Sequence, residues 1–248
     1  MNERVIGVLG GMGPEATLAF YARLIENTEA RRDQDHVRVL IDSNPKIPDR
    51  TEALLGNGES PVPLMTSSVE ALQRAGAEFI VIPCVSAHVF LEELRRRVTL
   101  PVLSIFDAAA EQVRQDLPGL RRVGLLATSG TVTAGRFQQR LAESGFNVIV
   151  PDTPDQARLM AAIYGIKASA ARGDRARVAA EVRGVAERVV ALGAEAVLLG
   201  CTELPLVLGP SDLDVPVIDS LLSLARATLR VAGREPIHRP VVAVEARV

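Results

Sequence analysis

The sequence predicts an α/β fold of two similar domains, each a parallel sheet flanked by helices, related by a pseudo-two-fold axis. Three observations carry this expectation. Short runs that are apolar throughout alternate with longer amphipathic runs, as strands buried on both faces alternate with the helices that cover them. The chain has 248 residues, enough for one large domain or two small ones. One half of the sequence also resembles the other.

Taken in order, residues 5–9 form the first apolar run, and a glycine-containing turn leads from it into a helix at 16–32. Runs at 37–41, 79–82 and 102–105 read as further strands. Helices at 63–75 and 87–97 lie between them, and a third follows at 106–116. The alternation restarts with a strand at 123–127, a glycine-containing turn and a helix at 134–143. A strand at 148–150, helices at 154–171 and 175–192 and a strand at 196–199 continue it. A last helix lies near 219–230, and the tail from Gly233, with Pro236 and Pro240, reads as irregular.

The repeat is specific. Val5-Ile6-Gly7-Val8-Leu9 resembles Val123-Gly124-Leu125-Leu126-Ala127. Gly76-Ala77-Glu78, followed by an apolar strand and Pro83-Cys84, resembles Gly193-Ala194-Glu195, followed by a strand and Gly200-Cys201. Pro101-Val102 resembles Pro216-Val217. The offsets are 118 (5 to 123), 117 (76 to 193) and 115 (101 to 216) residues. Apolar strands recur in any α/β protein, but a Gly-Ala-Glu and a Cys at the same place in both halves do not. The expected division is a first domain of 1–106 plus 215–248, carrying Cys84, and a second of 107–214, carrying Cys201.

Composition narrows the function. With 48% hydrophobic and 23% charged residues the chain can build a core, and disorder is excluded. A formal net charge of −2 without a basic block argues against nucleic acid as a partner. The N-terminus has no signal-peptide core and no apolar stretch spans a bilayer, so no membrane partner and a cytoplasmic setting are expected. Two cysteines form neither a disulfide framework nor a four-thiolate metal site, and both thiols are expected to be free. His36, His88 and His238 show no metal-ligand spacing, so no metal is expected. Lysine occurs only twice, at Lys46 and Lys167.

Each cysteine follows a buried strand, where open α/β sheets bind ligands. If the halves face each other, the two sulfurs approach one cleft from opposite sides. That arrangement suits inversion of a stereocentre bearing an acidic hydrogen: one thiolate removes the proton and the opposite thiol returns one. A Cys-His nucleophile is an alternative, because His88 lies four residues after Cys84. Gly10-Gly11-Met12-Gly13 lacks the register of a dinucleotide loop and the Walker lysine. Arg50, between Asp49 and Glu52, could be a solvated arginine in a local ion pair. Glu203 could cap a helix after Cys201. Lys46 reads as a solvent-facing loop residue, and Tyr164 as packing.

At these residues the chain resembles the aspartate/glutamate racemase family of cofactor-independent amino-acid racemases, from the N-terminus to about residue 230. Four blocks carry the resemblance: Gly10-Gly11-Met12-Gly13-Pro14-Glu15-Ala16-Thr17, Asn44-Pro45-Lys46-Ile47-Pro48-Asp49-Arg50-Thr51, Pro83-Cys84-Val85-Ser86-Ala87-His88, and Gly200-Cys201-Thr202-Glu203. It implies two α/β domains with the active site between them, no pyridoxal phosphate or other cofactor, no metal, a small amino acid or related carboxylic acid as partner, and a homodimer. By the same resemblance Cys84 and Cys201 are the acid/base pair, Arg50 holds a substrate carboxylate, and Met12 and Lys167 lie at the substrate. Thr51, Val85, Ser86 and Thr202 belong to the matching motifs, and Thr128 and Thr131 occupy the repeat-equivalent of the first loop. The chain departs from the family at Val85, where the first motif usually carries asparagine. The loss of that amide removes a hydrogen bond to substrate, worth about 1 kcal/mol, and leaves substrate identity open. Two other functions remain: an isomerase or decarboxylase of a small dicarboxylic acid, or a non-catalytic ligand-binding relative.

Overall fold

The computed structural model describes residues 3–168 and 174–237. They divide into two compact α/β units. The first runs up to Ala108 and is rejoined by the segment from Leu221; the second spans Ala109–Ser220. The return to the first unit thus comes a few residues later than the boundary expected at 214/215. The reason is the strand at Val217–Asp219, which pairs with the second sheet.

In the first unit, β1 (Ile6–Gly10) lies between β2 (Val39–Ser43) and β3 (Phe79–Val81), all parallel. Among the described residues α1 (Pro14–Asn27), α2 (Arg50–Leu54), α3 (Val62–Arg74) and α4 (Leu91–Arg95) accompany them, and α5 (Ile105–Asp116) starts in the first unit and runs on into the second. In the second unit the order is β5-β4-β6-β7, again all parallel, with β4 (Arg122–Ala127), β5 (Asn147–Ile149), β6 (Ala196–Gly200) and β7 (Val217–Asp219). Its helices are α6 (Ser129–Ala134), α7 (Arg136–Glu143), α8 (Thr153–Lys167) and α9 (Arg175–Ala191). α10 (Ser220–Val231) opens the return to the first unit. The two sheets have one topology: Val102 makes a single parallel bridge to Ile80 at the place where β7 pairs with β6.

The shared Gly-Ala-Glu has a structural cause. Gly76 and Gly193 both take φ 100°, which closes the preceding helix and suits glycine. The Glu78 carboxylate then accepts the Val5 N–H (2.6 Å), at the start of β1. The Glu195 carboxylate accepts the Arg121 and Arg122 N–H groups (2.8 and 2.9 Å), at the start of β4. Each acid satisfies backbone donors ahead of the neighbouring strand.

Several expected elements differ in extent. The helix expected over 16–32 stops at Asn27, where the Asn27 and Thr28 side chains donate to the Arg23 and Leu24 carbonyls and Thr28 bridges to Pro236. The strand expected at 102–105 shrinks to its bridge because the Ser104 hydroxyl accepts the Asp107 N–H (3.1 Å) and starts α5. The helix expected at 134–143 begins at Arg136, and the turn expected before it holds a further helix, α6, that ends at Gly135, φ 68°. The segment expected at 87–97 divides into a 3-10 turn, Ser86–Phe90, and α4. The tail is not wholly irregular: Pro236 pairs with Thr28, and the Ile237 N–H donates to the Asn27 carbonyl (2.8 Å). His238 and Pro240 lie outside the described residues. Among those described, no helix is long and apolar enough to cross a membrane.

Candidate active site

In the first unit the loop after β1 and the loop after β2 meet. Gly11 has φ 88°, and a Cβ there would stand 2.4 Å from the Asn44 backbone, so only glycine permits this approach. The Gly11 N–H donates to the Thr17 hydroxyl (2.9 Å). This glycine-rich loop therefore serves close packing of backbone on backbone. Asp49 caps α2 by accepting the Thr51 and Glu52 N–H groups (2.7 and 3.0 Å). That aims Arg50, the first residue of the helix, inward. Arg50 is buried rather than solvated: its guanidinium donates to the carbonyls of Ile47 (3.2 Å), Pro48 (2.9 Å) and Met12 (3.2 Å). It thereby clamps the two loops together. Thr51 is buried beside it in the sequence, and Met12 shares one buried apolar cluster with Ile47 and Cys84.

Cys84 follows β3 in a tight turn, with its N–H donating to the Ile82 carbonyl (2.8 Å). The thiol is free and buried, and its sulfur lies 3.5 Å from the Ser86 hydroxyl. Val85 is buried and offers no polar atom. His88 does not reach the sulfur through either ring nitrogen. Nδ1 lies 2.8 Å from the Cys84 carbonyl and Nε2 lies 3.2 Å from the Leu103 carbonyl. Burial lowers its pKa to about 4, against the pull of those two carbonyls, so the ring is neutral at neutral pH. This places His88 as a strut for the turn that carries Cys84 and removes the geometric basis for a Cys-His nucleophile.

The second unit builds a different setting around its cysteine. Cys201 directly follows β6, and its thiol is free and buried. The Cys201 Sγ–H donates to Glu203 Oε2 (3.1 Å), and the Thr202 hydroxyl donates to the same oxygen (3.3 Å). Lys167, at the end of α8, places Nζ 2.5 Å from Glu203 Oε1. Burial pushes the Cys201 thiol pKa well up; the Glu203 charge adds to this and Lys167 opposes it. Thr128 caps α6: its hydroxyl accepts the Thr131 N–H (3.3 Å) and lies 3.0 Å from the Thr131 hydroxyl.

Glu203 is the residue whose role the sequence left hidden. The helix cap it could have formed is not made: only a 3-10 turn, Leu204–Leu206, follows, and its side chain makes no cap bond there. An acid two residues after the cysteine was the available signal. Lys167, far away in sequence, could be joined to it only by the packing of α8.

Residues 9–228 match the family model described as Asp/Glu/Hydantoin racemase. A broad-specificity amino-acid racemase from Bacillus subtilis (strain 168) is 27% identical over 231 residues, covering 91% of this chain and 96% of that protein. Among solved structures, the Picrophilus torridus aspartate racemase superposes with a TM-score of 0.83 at 32% identity, over 94% of this chain and 96% of the other. An aspartate racemase homologue from Pyrococcus horikoshii OT3 gives 0.73 at 31% identity, over 93% and 100%. With a family match along most of its length, this chain belongs to the Asp/Glu/hydantoin racemase family of isomerases.

Proposed function

We propose that this racemase inverts the α-carbon of an acidic amino acid by proton transfer between two thiols, without pyridoxal phosphate or another cofactor. The observation that carries the reading is the equivalent placement of two free, buried cysteines just past β3 and β6, corresponding strands of two like sheets. The reading requires the two sulfurs to flank one α-carbon. The Cys84 thiolate takes the α-hydrogen as a proton, leaving the electron pair on the α-carbon. The Cys201 thiol delivers its proton to the opposite face and becomes the thiolate. The reverse reaction exchanges the roles.

Arg50 serves as the carboxylate anchor, since its guanidinium is already oriented by three carbonyls. Lys167 is engaged by Glu203 and contributes to the substrate through its charge rather than as a dedicated clamp. Thr51, Ser86, Thr128 and Thr202 supply hydroxyl or backbone donors, and Met12 and Val85 form apolar walls. Free thiols suit a reducing, cytoplasmic setting, and a homodimer follows the family resemblance.

Val85 favours a substrate with an apolar or differently placed group at that point, and the broad-specificity relative makes a wide amino-acid panel the right assay. The test is α-hydrogen exchange in deuterated water together with polarimetry over such a panel. Cys84→Ser and Cys201→Ser should each abolish racemisation while leaving the fold intact, because inversion needs both faces. Normal racemisation by the double variant would overturn the mechanism. Val85→Asn should shift preference towards polar acidic substrates.

A further inference from the structure

We propose that Glu203, charge-balanced by Lys167, holds the proton on Cys201, so that the second thiol is the acid of the resting enzyme and Cys84 its base. The inference rests on the two-thiol reading above. A sulfur and a carboxyl oxygen 3.1 Å apart share one proton, because a thiolate facing a carboxylate at that distance would set two anions together in a buried site. The other contacts decide where the proton sits. Lys167 Nζ stands 2.5 Å from the second oxygen, and the Thr202 hydroxyl donates to the first. Both favour the ionised carboxylate, so the proton is on sulfur. Among the described residues the charged groups that act most on Cys201 are Glu203 from its own loop and Lys167 from α8, and the carboxylate is the closer of the two along the chain of contacts.

At Cys84 the side-chain partner among the described residues is instead the neutral Ser86 hydroxyl. The duplicated cysteines thus sit at equivalent points of equivalent sheets in unlike electrostatic surroundings. Glu203 acts as a positioning residue: it does not touch the α-carbon but assigns the acid and base roles before substrate arrives. When Cys201 gives up its proton during turnover, Lys167 offsets part of the repulsion between the new thiolate and Glu203.

The test isolates Cys201 in the full-length Cys84→Ser protein and follows its thiolate absorbance against pH. Replacing Glu203 by glutamine should move the titration to lower pH and speed alkylation of Cys201 by iodoacetamide at neutral pH about tenfold, since the thiolate is the reacting form. Glu203→Asp, which keeps the charge, should restore the parent titration in large part. A purely structural role would change thermal stability without moving the titration. An unchanged titration in folded Glu203→Gln overturns the proposal. Should that variant fail to fold, Lys167→Met, which leaves the Glu203 charge unbalanced, should move the Cys201 titration to higher pH, and an unmoved titration there overturns the proposal. These measurements need no turnover. Failure of the unaltered enzyme to exchange any α-hydrogen would therefore strike at the racemase reading, and an unmoved titration at Glu203 alone.

Discussion

At the scale of single residues, His88 shows how burial decides what a motif residue does. Its ring sits between two carbonyl oxygens and against Phe106, with centroids 5.7 Å apart, and stays neutral down to about pH 4. In the unfolded chain it would titrate at its ordinary value of 6.5. Above that value the ring is neutral in both states and contributes no pH dependence. As pH falls below it, the unfolded chain gains a proton that the fold refuses, so stability drops until the folded ring itself titrates near pH 4. Between pH 7 and pH 5 this one group should cost roughly 2 kcal/mol, read by urea unfolding at the two pH values. His88→Gln should flatten that portion of the profile; an unchanged slope would mean His88 is not its source. The residues themselves were mostly legible. Cys84 and Cys201 stand out by rarity and by repeat, and Arg50 by its motif. Roles were less so. Arg50 next to Asp49 and Glu52 reads as a surface ion pair, yet Asp49 is used as a helix cap and Arg50 faces carbonyls from two loops. Glu203 looks like a cap and instead pairs with Lys167, a partner the sequence places 36 residues away.

At the scale of elements, the junction of β1 and α1 carries the tightest constraint near the site. Gly11→Ala combines a left-handed backbone with a Cβ 2.4 Å from the Asn44 backbone. It should cost about 3 kcal/mol or more, and it should do so by separating the two loops that Arg50 joins. Urea unfolding checks the first part. A weaker apparent affinity for substrate, with the fold retained in stabilising osmolyte, checks the second. Strands and long helices were legible because an apolar run or a repeating apolar stripe is a local pattern. Short elements were not. α2 exists because Asp49 accepts two N–H groups, and the strand after Pro101 ends early because Ser104 starts α5. Such decisions hang on one side chain each and leave little trace in periodicity. The Gly-Ala-Glu repeat was visible as letters, but its purpose, capping the first N–H groups of the neighbouring strand, required the strand order.

At the scale of the whole molecule, the first unit is discontinuous and depends on the end of the chain. Arg4 N–H donates to the Ala232 carbonyl (3.2 Å), Arg234 pairs with Glu3 (2.8 Å), and Pro236 bridges to Thr28. α10 buries Leu221, Leu224 and Leu229. Losing those three side chains alone should cost about 6 kcal/mol, comparable to the whole stability of a domain. A chain ending at Ser220 should therefore lose cooperative unfolding of its first unit, seen as lost amide-exchange protection of β1 and β3. Retained protection there would show that the return segment is dispensable. The sequence by itself determined the two-fold repetition, the parallel α/β class, the position of each thiol past a strand and the family, because all of these are written in local pattern and short motifs. Tertiary structure alone decided that β7 belongs to the second sheet, that His88 braces a turn, and that Lys167 and Glu203 meet beside Cys201. Those outcomes depend on which distant groups are brought into a dry interior, where a single charge or carbonyl a few ångströms away fixes the protonation that the letters leave open.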